Sequence, residues 1–253
     1  MNALLAPLQL TAAQLGIAMF VVFGAAIVRG YSGFGFAMFA VTGLSLLRPP
    51  AEIVPMVVAL DIAAGAHLLP SVWGDVDWRS LRWLLAGMVL STPLGVWVLA
   101  SAPPAATRML VSVLVLIASA ALWRGFSLRQ VPGPGATFAT GAVSGLLNGS
   151  AAIGGPPAIL FYFSSPAGAA ISRASLITYF LGTDVVAAGF SAAYGLLTAK
   201  ALLRAAVLLL PLGLGVAIGN RRFAQSHPGS FRRVVLVLLM LLAVAGLIRA
   251  GLG

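Results

Sequence analysis

The 253-residue chain has no cysteine, which excludes disulfides, thiol nucleophiles and thiolate metal sites. Charge is almost as scarce. Only 8% of residues are Asp, Glu, Lys or Arg, five of them acidic, and there are two histidines. No metal site and no cofactor are expected. The chain contains no Gly-Lys-Ser/Thr phosphate loop, so it does not itself hydrolyse ATP. The first apolar run has no Lys or Arg before it and no small-residue cleavage site after it. It therefore reads as a retained membrane segment and not as a signal peptide. The strict alternation of an outer-membrane strand is also missing.

What is present is apolar surface. With 60% hydrophobic residues and a mean hydropathy of +1.06, the chain carries more than a soluble domain could hide. Its apolar runs are helix-length, which makes it an all-α integral membrane protein whose first partner is the lipid bilayer. The net charge of +10 comes from fifteen Lys and Arg scattered through short loops, where they orient a membrane protein; no nucleic-acid partner is expected. Assigning loops alternately puts Arg29, Arg79, Arg82, Arg124, Arg129, Arg173, Arg221, Arg222, Arg232 and Arg233 on one side. Arg48, Arg108, Lys200, Arg204 and Arg249 fall on the other, a bias that places both termini outside.

Five apolar segments are predicted at 11–28, 34–47, 53–69, 81–100 and 105–123. Five more follow at 136–147, 156–163, 175–194, 201–220 and 234–248. A loop containing Pro132-Gly-Pro-Gly135 separates them, giving a first repeat at 1–125, a Pro/Gly linker at 126–135 and a second repeat at 136–253. Landmarks recur in order: Gly30 and Gly149, Asp61 and Asp184, Pro93-Leu-Gly95 and Pro211-Leu-Gly213. Arg108 and Arg124 bracket the fifth segment as Arg233 and Arg249 bracket the tenth. Four ordered echoes point to two homologous halves. The proline of each Pro-Leu-Gly echo is a candidate kink.

Two stretches interrupt the apolar pattern, Arg29-Gly-Tyr-Ser-Gly-Phe-Gly-Phe36 and Asn148-Gly-Ser-Ala-Ala-Ile-Gly-Gly-Pro-Pro157. Segments 136–147 and 156–163 are too short to cross about 30 Å of hydrocarbon at 1.5 Å per residue, so they read as arms of a re-entrant hairpin. The first half pairs a nearly spanning segment with a short one, a deeper or asymmetric hairpin. Five segments per half give inverted repeats; if each broken pair is a single crossing, the repeats are parallel.

Unravelled backbone is tolerated at membrane depth only where protein or a cavity satisfies it. In each hairpin the second arm starts at the break, presenting unpaired N–H groups and a positive dipole end, which is an anion-binding arrangement. Pro156 suits a first helical turn. Gly33, Gly35, Gly154 and Gly155 allow close approach of a ligand to the backbone. The expected substrate-binding set is Gly30, Tyr31, Ser32, Gly33, Phe34, Gly35, Asn148, Gly149, Ser150, Gly154, Gly155 and Pro156, with a small anion as partner. The alternative is that these small residues serve close helix packing.

Asp61 and Asp184 each fall near the middle of an apolar segment, where a charge costs about 2.5–3.5 kcal/mol on insertion scales. They are the candidates for binding a coupled proton; a structural hydrogen bond, or a pair with Arg29 or Arg173, is the competing role. Arg29 itself reads either as positive potential on an anion path or as a snorkelling side chain. His67, Trp73, Asp75, Asp77 and Trp78 read as interfacial.

The paired Gly-rich breaks, together with Tyr179-Phe-Leu-Gly-Thr-Asp184 ahead of Tyr194-Gly195, resemble the TauE/SafE family of sulfite and organosulfonate transporters. The first break, Gly30-Tyr-Ser-Gly-Phe-Gly35, carries a sparser glycine run than members typically have. The resemblance implies a non-enzymatic carrier of sulfite, sulfonates or small carboxylates in a bacterial plasma membrane, energised by an ion gradient. Two rival readings are an anion channel and an intramembrane serine protease built on Gly30-Tyr-Ser-Gly33, which would need His67 or His227 as base for Ser32.

Overall fold

The computed structural model describes residues 11–103, 132–152, 154–163 and 168–223, with isolated positions between 105 and 124 and at Met240, Val244 and Ile248. Among the described residues the regular structure is helix alone. The first four helices are α1 (Ala12–Ser32), α2 (Phe36–Leu44), α3 (Pro50–Leu68) and α4 (Trp78–Ser101). Then come α5 (Pro134–Ala151), α6 (Gly155–Phe163), α7 (Gly168–Ala193) and α8 (Ala199–Phe223). The order long, short, long, long thus occurs twice, and both short helices have nine residues. The fifth and tenth expected segments, 105–123 and 234–248, lie almost wholly outside the described residues.

Local chemistry sets the helix ends. A reciprocal capping box joins Thr11 and Gln14 at the start of α1. Its last turn closes where the Gly33 N–H donates to the Arg29 carbonyl (2.9 Å), with Gly33 left-handed at φ 79°. Gly35, also left-handed at φ 91°, redirects the chain into α2. At the start of α4 the Asp77 carboxylate accepts from the N–H groups of Arg79 and Ser80 (3.2 and 3.3 Å). Pro134 opens α5 at its first turn, and α5 ends at Ala152, again left-handed at φ 53°.

Small residues decide which helices pair. Gly30 on α1 faces the backbone of Val216 and Asn220 on α8 so closely that a methyl group there would collide with main-chain atoms; Gly219 on α8 faces Ile27 and Tyr31 in the same way. On the other side Gly149 of α5 lies against Thr92 and Val96 of α4, and Gly87 of α4 against Phe138 and Ala142 of α5. Both pairs run parallel, since contacts advance along both partners together. α1 is thus held by α8 and α5 by α4, with dispersion between touching backbones replacing the hydrophobic drive that lipid cannot supply. At the centre α3 crosses α7. Asp61 meets Asp184, Gly65 meets Leu181, and the Asp77 N–H donates to Ser175 (2.9 Å), so the two helices run antiparallel.

Five helical stretches are long and apolar enough to cross a membrane: Ala12–Ser32, Pro50–Ser71, Trp78–Ser101, Ala170–Ala193 and Ala199–Phe223. Their outer faces carry exposed apolar side chains such as Phe20, Leu90, Leu94, Leu210 and Leu214, a surface suited to lipid. Trp73, Trp78 and Trp83 are also exposed near the start of α4.

Three differences from the sequence reading have clear causes. The first break starts at Gly33 and not at Arg29, because Gly30 is a packing residue inside α1. The first hairpin has the same long-and-short shape as the second: α2 folds back along α1, with Gly35 beside Val28, Phe39 beside Gly24 and Gly43 beside Val21. Arg29, Arg173 and Arg204 are buried helix residues, so they say nothing about loop orientation.

Candidate functional site

The two breaks wall one small cavity. It is lined by Arg29, Gly35, Ala37 and Met38 from the first break and its following helix, by Asn148, Ala152 and Gly155 from the second, and by Asp61 and Phe180 from the crossing helices. α1 delivers Arg29 in its last turn, fully buried. Its Nε lies 2.9 Å from the Asp61 carboxylate, its Nη1 donates to the Gly33 carbonyl at 2.5 Å, and its guanidinium carbon sits 5.4 Å from the Phe180 ring centre. Nη2 has no hydrogen-bond partner among the described residues.

The second break is built alike from neutral parts. Asn148, in the last turn of α5, donates through Nδ2 to Oδ1 of Asp184 at 3.2 Å. Asp184 is 1% exposed, and its Oδ2 has no hydrogen-bond partner among the described residues. Asp61 of α3 and Asp184 of α7 are neighbours, each about one helical turn from the Gly65–Leu181 contact. A polar row therefore runs Arg29, Asp61, Asp184, Asn148 through the buried centre of the molecule, with the buried Tyr179 and Ser144 nearby. A buried charge unpaired in such a place is costly, and pairing is what makes it tolerable.

The α2 N-terminus adds donors. Its N-cap Gly35 has no side chain to satisfy the first-turn N–H groups, and Ala37 and Met38 of that turn line the cavity. Together with the guanidinium, these are groups that hold an oxyanion. A second buried arginine, Arg173 of α7, lies just outside. It donates to the Gly30 carbonyl and to Asn220 Oδ1 (both 2.9 Å) and stacks on Phe223 at 4.4 Å.

Of the residues singled out from sequence, Gly35, Asn148, Gly155, Asp61 and the neighbourhood of Gly33 meet at this cavity, and Asp184 lies directly behind it. Others sit elsewhere. Gly30 and Gly149 are packed into the helix pairs, and Tyr31 is buried edge-on to Phe223. The hydroxyl of Ser32 is turned to its own backbone, 2.8 Å from the carbonyls of Val28 and Phe34, and that of Ser150 donates to Leu147. Gly154 accepts a short hydrogen bond from the Ser144 hydroxyl. Phe34 is half-buried beside the first break. The backbone of Pro156 continues α6.

Arg29, with its two sequence readings, proves to be the central cation; its place in the last turn before a left-handed glycine was the available signal. Phe180, Met38 and Ala152 were not anticipated, although Phe180 belongs to the Tyr179-to-Asp184 stretch already singled out. The Ser32 hydroxyl has no histidine beside it among the described residues. His67 is exposed at the end of α3 and His227 lies outside the described residues, so no described residue supplies the base that a protease needs.

The family model described as sulfite exporter TauE/SafE matches residues 18–246. A Cupriavidus necator protein named as a probable sulfite/organosulfonate exporter TauE is 30% identical over 220 residues, covering 84% of each chain. No solved structure gives a significant match.

Proposed function

Because the chain belongs to the TauE/SafE sulfite exporter family of multi-pass membrane transporters, we propose that it is a secondary transporter carrying sulfite, sulfonates or related small oxyanions across a bacterial plasma membrane. The observation that carries this reading is the shared cavity, in which a buried guanidinium and the uncapped start of α2 face the second break. Such donors replace the water of an oxyanion without exposing it to hydrocarbon. Gly35, Gly155 and Asn148 are proposed as the binding residues, with Arg29 as the principal cation.

The two halves, 1–125 and 136–253 around the linker 126–135, are proposed to be inverted repeats. The reciprocal exchange of helix partners supports a two-fold relation, and the antiparallel crossing of α3 and α7 supports an axis in the membrane plane. Rocking of one half on the other would then open the cavity alternately to each side. Asp61 and Asp184 are proposed to carry a coupled proton.

A thermal-shift screen of the purified protein tests the substrate class. Sulfite and alkanesulfonates are expected to raise the unfolding temperature in a saturable way, while amines and sugars do not. Stabilisation by amines alone would overturn the proposal. Saturable counterflow of labelled sulfonate in proteoliposomes distinguishes a carrier from a channel.

A further inference from the structure

One guanidinium in the cavity faces two carboxyls. Arg29 pairs with Asp61, Asp61 neighbours Asp184 at the crossing of α3 and α7, and among the described residues Asp184 accepts a hydrogen bond from the neutral amide of Asn148. The two acids are neighbours at the crossing of α3 and α7, and two ionised carboxylates side by side in a buried place repel each other. The ordinary occupant of a buried Arg fork is an oxyanion, and Asp61 is one supplied by the protein itself.

From this arrangement we propose that Asp61 holds Arg29 in place of the transported anion, and that each anion displacing it is bound together with one proton, kept on the Asp61–Asp184 pair. The inference rests on the anion-transport reading of the cavity. Asp61 lies on Nε of Arg29 and Nη2 carries no hydrogen bond among the described residues, so an oxyanion that takes the Nε–Nη2 fork displaces Asp61 from Nε. If Asp61 were displaced as a carboxylate, it would lie buried without its cation beside a second acid, so its release and its protonation go together. The anion and the proton therefore bind cooperatively, and by linkage each strengthens the other. When neither is bound, the Arg29–Asp61 pair keeps the cavity electrically closed for the return step.

The charged groups facing the pair are few. Arg29 comes from α1, and Arg173 of α7 faces Arg29 from outside the cavity with its donors on Gly30 and Asn220. α2 contributes no titratable residue, α6 contributes Tyr162, whose hydroxyl lies 3.1 Å from that of Ser80, α7 adds the buried Tyr179 beside Asp184, and α5 contributes the amide of Asn148. Glu52 and His67, the other titratable residues of α3, are on its first turn, paired with Arg204 of α8, and at its exposed last turn respectively.

Calorimetric titration of the purified wild-type protein with ethanesulfonate tests this, because a sulfonate keeps its charge across the working pH range. Repeating the titration in buffers of different ionisation enthalpy counts protons. The expected result is uptake of about one proton per anion, with affinity falling about tenfold per pH unit where uptake is seen. The double variant Asp61→Asn/Asp184→Asn is expected to bind with no proton uptake and with little dependence on pH. Wild-type binding with no proton uptake at any pH would overturn the exchange while leaving the transporter reading intact. A double variant that keeps the wild-type pH slope would do the same. Absence of ethanesulfonate binding at every pH would overturn both.

Discussion

At the first break the residue four before the left-handed turn is Arg29, paired with Asp61 of α3; at the second it is Asn148, bonded to Asp184 of α7. The scaffolds match: a long helix, a left-handed residue, a nine-residue helix, and a carboxyl from the third helix. The chemistry does not. One side is a charge pair and the other a neutral amide on an acid, so the shared cavity has one strong cation and two acids. Two similar helix–break–helix scaffolds thus carry different side chains at matching positions, and on the proposed reading that difference decides which break holds an anion.

The sharpest break in that comparison is Arg29→Gln against Asn148→Ala. Losing Arg29 leaves Asp61 buried without its partner, expected to cost about 3–5 kcal/mol and to abolish sulfonate binding. Losing the Asn148 amide is expected to cost about 1–3 kcal/mol and to leave measurable binding. Unfolding midpoints in detergent and ligand titrations read both. Equal effects would mean that the two breaks are chemically equivalent after all.

A flux measurement comes next. In proteoliposomes, Asp61→Asn and Asp184→Asn are each expected to lose acceleration of sulfonate flux by a pH gradient while retaining exchange of anion for anion. Should both variants and their double keep full pH-driven flux, the acids are structural and the halves differ only in packing.

Packing should respond symmetrically where chemistry does not. Gly30→Val and Gly149→Val each drive a side chain into the backbone of the partner helix, and each is expected to destabilise by about 1–3 kcal/mol. A tolerated Gly30→Val would place that glycine on the ligand path and not in the helix interface. The smallest effects are expected at the turns. Ala152 adopts φ 53° where Gly33 adopts φ 79°, so Ala152→Gly should stabilise by about 1 kcal/mol and Gly33→Ala should destabilise by roughly 1–2 kcal/mol. Thermal denaturation of the four single variants checks both pairs.

The sequence determined the class of this protein without help. Sixty per cent hydrophobic residues in helix-length runs leave only a helical membrane protein, and the glycines and prolines marked both interruptions within a few residues, because helix breaking is a local backbone property. It also singled out Asp61 and Asp184, since an acid in an apolar run stands out wherever it points. Tertiary structure alone decided which small residues pack and which face the cavity. Gly30 and Gly35 look alike in the chain, yet the first touches the backbone of α8 and the second turns the chain into the site. It alone also placed Arg29 on Asp61, because a long side chain near a helix end can reach the headgroups or a buried carboxyl. Only the crossing of α3 beside α1 makes the carboxyl the nearer partner.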